Sequence, residues 1–82
     1  MTITVRYFAG AQVADGTGEE TLPLPDGTAL PDLVTRLADR HGPDLARVLT
    51  AASFLINEVT GAGDRLIPDG ATVDVLPPFA GG

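Results

Sequence analysis

At 82 residues, with 44% apolar side chains, 10 Gly and 7 Pro, the chain is sized for one globular domain with a single core and many turns. A formal charge of −6, with all five cationic side chains arginine, argues against a phosphate-backbone partner and favours a basic protein partner. The absence of Cys excludes disulfides, thiolate zinc sites and thiol nucleophiles. No apolar run approaches the roughly 18 residues of a membrane span, and the start shows no secretory pattern, so the expectation is a soluble cytoplasmic protein that engages no membrane.

Residues 2–8 alternate, with Ile3, Val5 and Tyr7 on one face and Thr4, Arg6 and Phe8 on the other, which predicts a half-buried strand. Residues 10–18 read as a loop with room for one helical turn around 11–14. Alternation resumes over residues 20–24 with Leu22 and Leu24 inward. Pro23 lacks a donor and so makes this an edge strand. After the turn Pro25-Asp26-Gly27, Thr28 is placed to cap a helix, and Leu30, Leu33, Val34, Leu37 and His41 share one helical face. Gly42-Pro43 ends that helix, and residues 44–50 can form a second, short one with Leu45, Val48 and Leu49 inward.

A strand over residues 53–58 carries Phe54 and Ile56 inward. Residues 60–64 read as a Gly-rich turn and residues 65–67 as a very short strand. Pro68-Asp69-Gly70 then feeds a last strand over residues 72–76. This order predicts a two-layer α+β domain over residues 1–78, with a helix packed on one face of a mixed sheet. If the first and last strands lie parallel and adjacent at the centre, the topology is the ubiquitin-like β-grasp.

The end of the sequence carries the chemistry. Val73-Asp74-Val75-Leu76 runs into Pro77-Pro78-Phe79 and then Gly81-Gly82. Prolines lack N–H groups and fix φ, so the strand stops there and residues 79–82 project as a thin, flexible tail. A bare terminal carboxylate on such a tail points to that carboxylate as the reactive group, though a Gly-Gly end also suits an inert terminus. Strand phase puts Phe8 and Leu76 outward at the end of the sheet beside the tail, an apolar cluster suited to a protein interface, with Phe79 as a tail anchor. The remaining polar residues offer no rival. Glu19, Glu20 and Asp15 read as solvated charge, Asp64 and Asp69 flank turns, and His41, alone of its kind, reads as a partly buried or capping residue. No spacing fits a metal loop or a phosphate-binding loop. The missing lysines reflect GC-rich codon usage or the benefit, to a chain carrying an activated acyl group, of having no amine to acylate.

Together, the opening Val5-Arg6-Tyr7-Phe8-Ala9, the helix after Asp26-Gly27-Thr28 and the closing IPDGATVDVLPPFAGG resemble the small subunits of molybdopterin synthase, within the wider group of ubiquitin-like sulfur carriers. The likeness spans essentially the whole chain, and Pro77-Pro78 before the tail favours the molybdopterin branch over the thiamin branch. It implies a subunit without activity of its own, with no bound cofactor and no metal. A ubiquitin-activating-type adenylating enzyme consumes ATP to activate the Gly82 carboxylate, and sulfur transfer yields a thiocarboxylate. The tail, Gly81 and Gly82, then enters the large synthase subunit and donates sulfur to cyclic pyranopterin monophosphate. Phe8, Leu76, Pro77, Pro78 and Phe79 are the expected partner-binding residues. Sulfur delivery to thiamin, cysteine or thiosugar synthesis, or a role as a ubiquitin-like modifier or interaction module, are the alternatives.

Overall fold

The alternation at the amino end forms β1 (Thr2–Tyr7), with Ile3, Val5 and Tyr7 buried, in a computed structural model that describes residues 1–8, 18–61, 63 and 65–77. Opposite it runs β2 (Glu19–Pro23), antiparallel, with Ile3 facing Leu22 and Arg6 facing Glu19. Residues 10–17, read as a loop with a helical turn, lie outside the described residues. β2 is an edge strand, the position where Pro23 removes no ladder hydrogen bond.

Helix α1 (Leu30–His41) buries Leu30, Leu33 and Leu37, the stripe its 3.6-residue period dictates, with Val34 half-buried. Thr28 is not its cap. Ala29 holds that position, and the buried Thr28 gives its hydroxyl hydrogen to the Pro25 carbonyl at 2.6 Å, closing the turn instead. The Leu30 N–H, orphaned at the helix start, donates to the Arg65 carbonyl at 2.9 Å, so a distant segment does part of the work of a cap. Gly42, at φ 94, ends α1, and Pro43 opens α2 (Pro43–Leu49), which buries Leu45 and Leu49.

β3 (Ser53–Ile56) turns directly into β4 (Val59–Gly61) through Asn57 and Glu58, both left-handed at φ 50 and φ 67. Two consecutive positive-φ residues between Ile56 and its partner Val59 make the tight hairpin turn whose twist matches paired strands. This corrects the reading of residues 60–64 as a turn at residues 60 and 61, which belong to β4, and the reading of residues 65–67 as a strand. Leu66 makes only an isolated bridge to Ala29. The Asn57 side-chain oxygen accepts the Thr72 N–H at 3.0 Å, while the Asn57 N–H donates to the Thr72 carbonyl at 2.8 Å, which ties the turn to β5 (Thr72–Leu76).

The strand order is β2-β1-β5-β3-β4, with β1 and β5 parallel at the centre in the register Val5 to Val73 and Tyr7 to Val75. That is the expected ubiquitin-like β-grasp. One core cluster joins Leu33, Leu37, Leu45 and Leu49 from the helices to Ile3, Val5, Tyr7, Ile56, Val73 and Val75 from the sheet. Leu33 and Leu37 are fully buried within it. Truncating either to Ala removes transfer energy and leaves a cavity, so each change should cost about 2–5 kcal/mol in urea unfolding, a large fraction of a small domain's stability.

Candidate functional site

The outward face of the sheet is built from the residues that alternate with the core. Across its centre, pairing sets Glu19 opposite Arg6, Arg6 opposite Asp74, and Asp74 opposite Leu55. The Arg6 guanidinium grips the Asp74 carboxylate with two hydrogen bonds, Nε to Oδ1 at 2.6 Å and Nη2 to Oδ2 at 2.9 Å. Asp74 is only 4% exposed although it lies on the face away from the core. The bonds from Arg6 and the attraction of the two charges raise the Arg6 pKa above its ordinary value, with smaller contributions from Glu58 and Glu19, so Arg6 stays charged throughout the working pH range. Its guanidinium carbon lies 5.6 Å from the centroid of the Phe8 ring, within cation–π range.

One step toward the carboxyl end of β5, the face becomes apolar. Phe8 has passed the end of β1, yet its N–H still bonds the Val75 carbonyl at 3.2 Å, and it remains 39% exposed. Leu76 follows Val75, faces Ser53 on β3 and is half-buried, as is Pro77. Because Tyr7 pairs with Val75, Phe8 and Leu76 leave the sheet at the same end. The structure therefore places Phe8, Leu76 and Pro77 at the same end of the sheet. Pro78, Phe79, Gly81 and Gly82 lie outside the described residues.

Sequence reasoning placed Arg6 on the outward face and singled out neither it nor Asp74. The available signal was phase, since both alternate with core residues and share the face of Phe8 and Leu76. Their contact depends on the parallel register, which short-range pattern does not reveal.

A second polar cluster lies on the inner side. Glu20, expected to be solvated, has a side chain only 11% exposed and accepts a hydrogen bond from the Tyr7 hydroxyl at 2.8 Å. Arg40 Nε stands 2.8 Å from its other oxygen, and the ring Nε2 of His41 contacts the same oxygen as Tyr7. The phase of β2 explains the burial, because Glu20 alternates with the buried Leu22. His41 is partly buried, as expected, and meets the Tyr7 ring edge to face at 6.0 Å. Glu20 thus joins β1, β2 and the last turn of α1.

The model of the ThiS family matches residues 5–82. The molybdopterin synthase sulfur carrier subunit of Chlamydomonas reinhardtii is 33% identical over 84 aligned positions that cover the whole of both chains. Among solved structures, SAMP1 from Haloferax volcanii, a small archaeal modifier protein, superposes with a TM-score of 0.86 at 20% identity over all of both chains. One chain of the protein–protein complex of subunits 1 and 2 of the molybdopterin-converting factor from Helicobacter pylori gives a TM-score of 0.69 at 20% identity over the full length of both chains. At such identities these structures speak for the fold alone.

The Glu20 cluster belongs to the fold and lies on the far side of the sheet from Phe8. Glu20→Ala should lower stability by about 1.5–3 kcal/mol, the range for hydrogen bonds to a charged group, as read by denaturant unfolding. Binding of protein partners by the folded variant should be unchanged.

Proposed function

The chain belongs to the ThiS family, and from that footing we propose that it is a sulfur carrier whose Gly82 carboxylate becomes a thiocarboxylate for molybdopterin synthesis. The observation that carries this reading is the full-length similarity to a molybdopterin synthase sulfur carrier subunit, with a family match that runs through Gly82. The β-grasp geometry supports it, because the parallel central pair delivers the end of β5 to an exposed corner beside Phe8 and Leu76.

A carboxylate is a poor electrophile until one oxygen becomes a leaving group. A ubiquitin-activating-type enzyme would supply this by letting the Gly82 carboxylate attack the α-phosphorus of ATP, releasing pyrophosphate. A sulfur nucleophile then displaces AMP, forming a carbon–sulfur bond as the carbon–oxygen bond to AMP breaks. The chain contributes no acid, base or metal to these steps. It would contribute a Gly81-Gly82 end with no side chains, two prolines before it that cannot continue a strand ladder, and an apolar docking corner of Phe8 and Leu76 that Phe79 would join as an anchor. The large synthase subunit would receive the loaded tail, and cyclic pyranopterin monophosphate would accept the sulfur.

Modifier proteins share this fold, and a modifier would instead pass the activated carboxylate to a lysine amine. Incubation with the activating enzyme, ATP and a sulfur donor separates the two. Deleting Gly82, or adding one residue after it, should abolish sulfur loading and leave thermal stability unchanged. Loading of an untrimmed extended chain would overturn the mechanism.

The docking corner makes its own prediction. Phe8→Ser should cost little stability yet weaken binding to the large subunit or the activating enzyme by roughly 1–4 kcal/mol, as an anchor residue does. Because the chain carries a charge of −6, its association with a basic partner should slow as salt rises. A titration of Phe8→Ser against both partners checks the first point, and stopped-flow mixing at two ionic strengths checks the second.

A further inference from the structure

Among the described residues Asp74 is the one charged residue that is buried, and it is buried on the outward face of the sheet. Its cover is the Arg6 guanidinium, whose own side chain remains 40% exposed. Stability alone is a weak reason for such a pair, since apolar residues of similar size usually serve as well in a buried site. What the pair does supply is geometry. Two parallel hydrogen bonds to a carboxylate fix the plane of a guanidinium as one bond does not. That fixed plane stands beside Phe8, with the guanidinium carbon 5.6 Å from the ring centroid. A contact chain therefore runs from the central strand through Asp74 and Arg6 to the exposed ring.

We infer that Arg6 and Asp74 are positioning residues for docking: Asp74 fixes the guanidinium, and the guanidinium holds the Phe8 ring in the orientation that the large synthase subunit receives. This rests on the sulfur-carrier reading and on Phe8 as its anchor. An aromatic side chain half-exposed at a strand end loses rotamer freedom when a partner clamps it, and prior ordering removes that cost from association. Lysine in place of Arg6 would keep the charge and lose both the planar fork and the flat surface beside the ring.

The test measures affinity for the purified large subunit, with melting temperature read in parallel. The double variant R6T/D74V replaces the ion pair with a short polar and an apolar strand residue, so that no charge is left buried alone. It should melt near the wild-type temperature and bind roughly tenfold more weakly. Added to Phe8→Ala, the same pair of changes should produce no further loss, because the platform has no ring left to hold. R6K should stay weak, and it carries the test against Phe8→Ala if the double variant fails to fold.

Wild-type affinity in folded R6T/D74V or in R6K, or losses that multiply with that of Phe8→Ala, would overturn the positioning role while leaving the carrier reading intact. A wild-type chain that loads no sulfur and does not bind the large subunit would overturn both.

Discussion

The parallel contact between β1 and β5 is the constraint on which everything else depends. It joins residues some seventy positions apart, Val5 to Val73 and Tyr7 to Val75, at the centre of the sheet. Such pairing must repay the entropy of closing a long loop before it contributes anything. The repayment comes from the inner face, where Val5, Tyr7, Val73 and Val75 join one core with Leu33 and Leu37. The same register then decides the outer face. It sets Arg6 against Asp74 and brings Phe8 and Leu76 to one corner, so the packing that holds the fold also assembles the proposed docking surface.

Local devices keep that register from slipping. Pro25-Asp26-Gly27-Thr28 and Pro68-Asp69-Gly70-Ala71 are turns of the same kind, each with glycine at positive φ in its third place and a hydrogen bond back to proline. The second of them positions β5 against β1: the Gly70 N–H donates to the Thr2 carbonyl at 3.0 Å, and the Thr2 N–H donates to an Asp69 carboxylate oxygen at 3.2 Å. At the other side of β5, the bonds between Asn57 and Thr72 fix where β3 stops pairing and turns away. The central strand is thus registered on both edges by side chains that lie outside the core.

Much of this was legible from residue order. Period two gave β1 and β5 their inward faces, period 3.6 gave α1 its leucine stripe, and Pro23 marked β2 as an edge. The departures share a physical cause, which is that the hydrogen-bond or strand partner, and not the residue's own type, decided the outcome. Thr28 looks like a cap until the turn claims its hydroxyl and Arg65 satisfies the helix start. Asn57-Glu58 looks like a strand end, because Glu rarely takes positive φ, and only the β3–β4 pairing shows it to be a hairpin turn. Glu20 looks solvated until Tyr7 and Arg40 close over it. For the site, phase marked Phe8 and Leu76, while the Arg6–Asp74 pair required the register between strands.

A sulfur carrier of the proposed kind would differ from an inert interaction module in one covalent property, the chemical state of Gly82. Intact-mass measurement of the protein isolated from its native host, during active cofactor synthesis, reads that state directly. The account predicts a population heavier by one sulfur-for-oxygen exchange, located by fragmentation at Gly82. Protein found only at its unmodified mass, or joined through Gly82 to lysine side chains of other proteins, would contradict it.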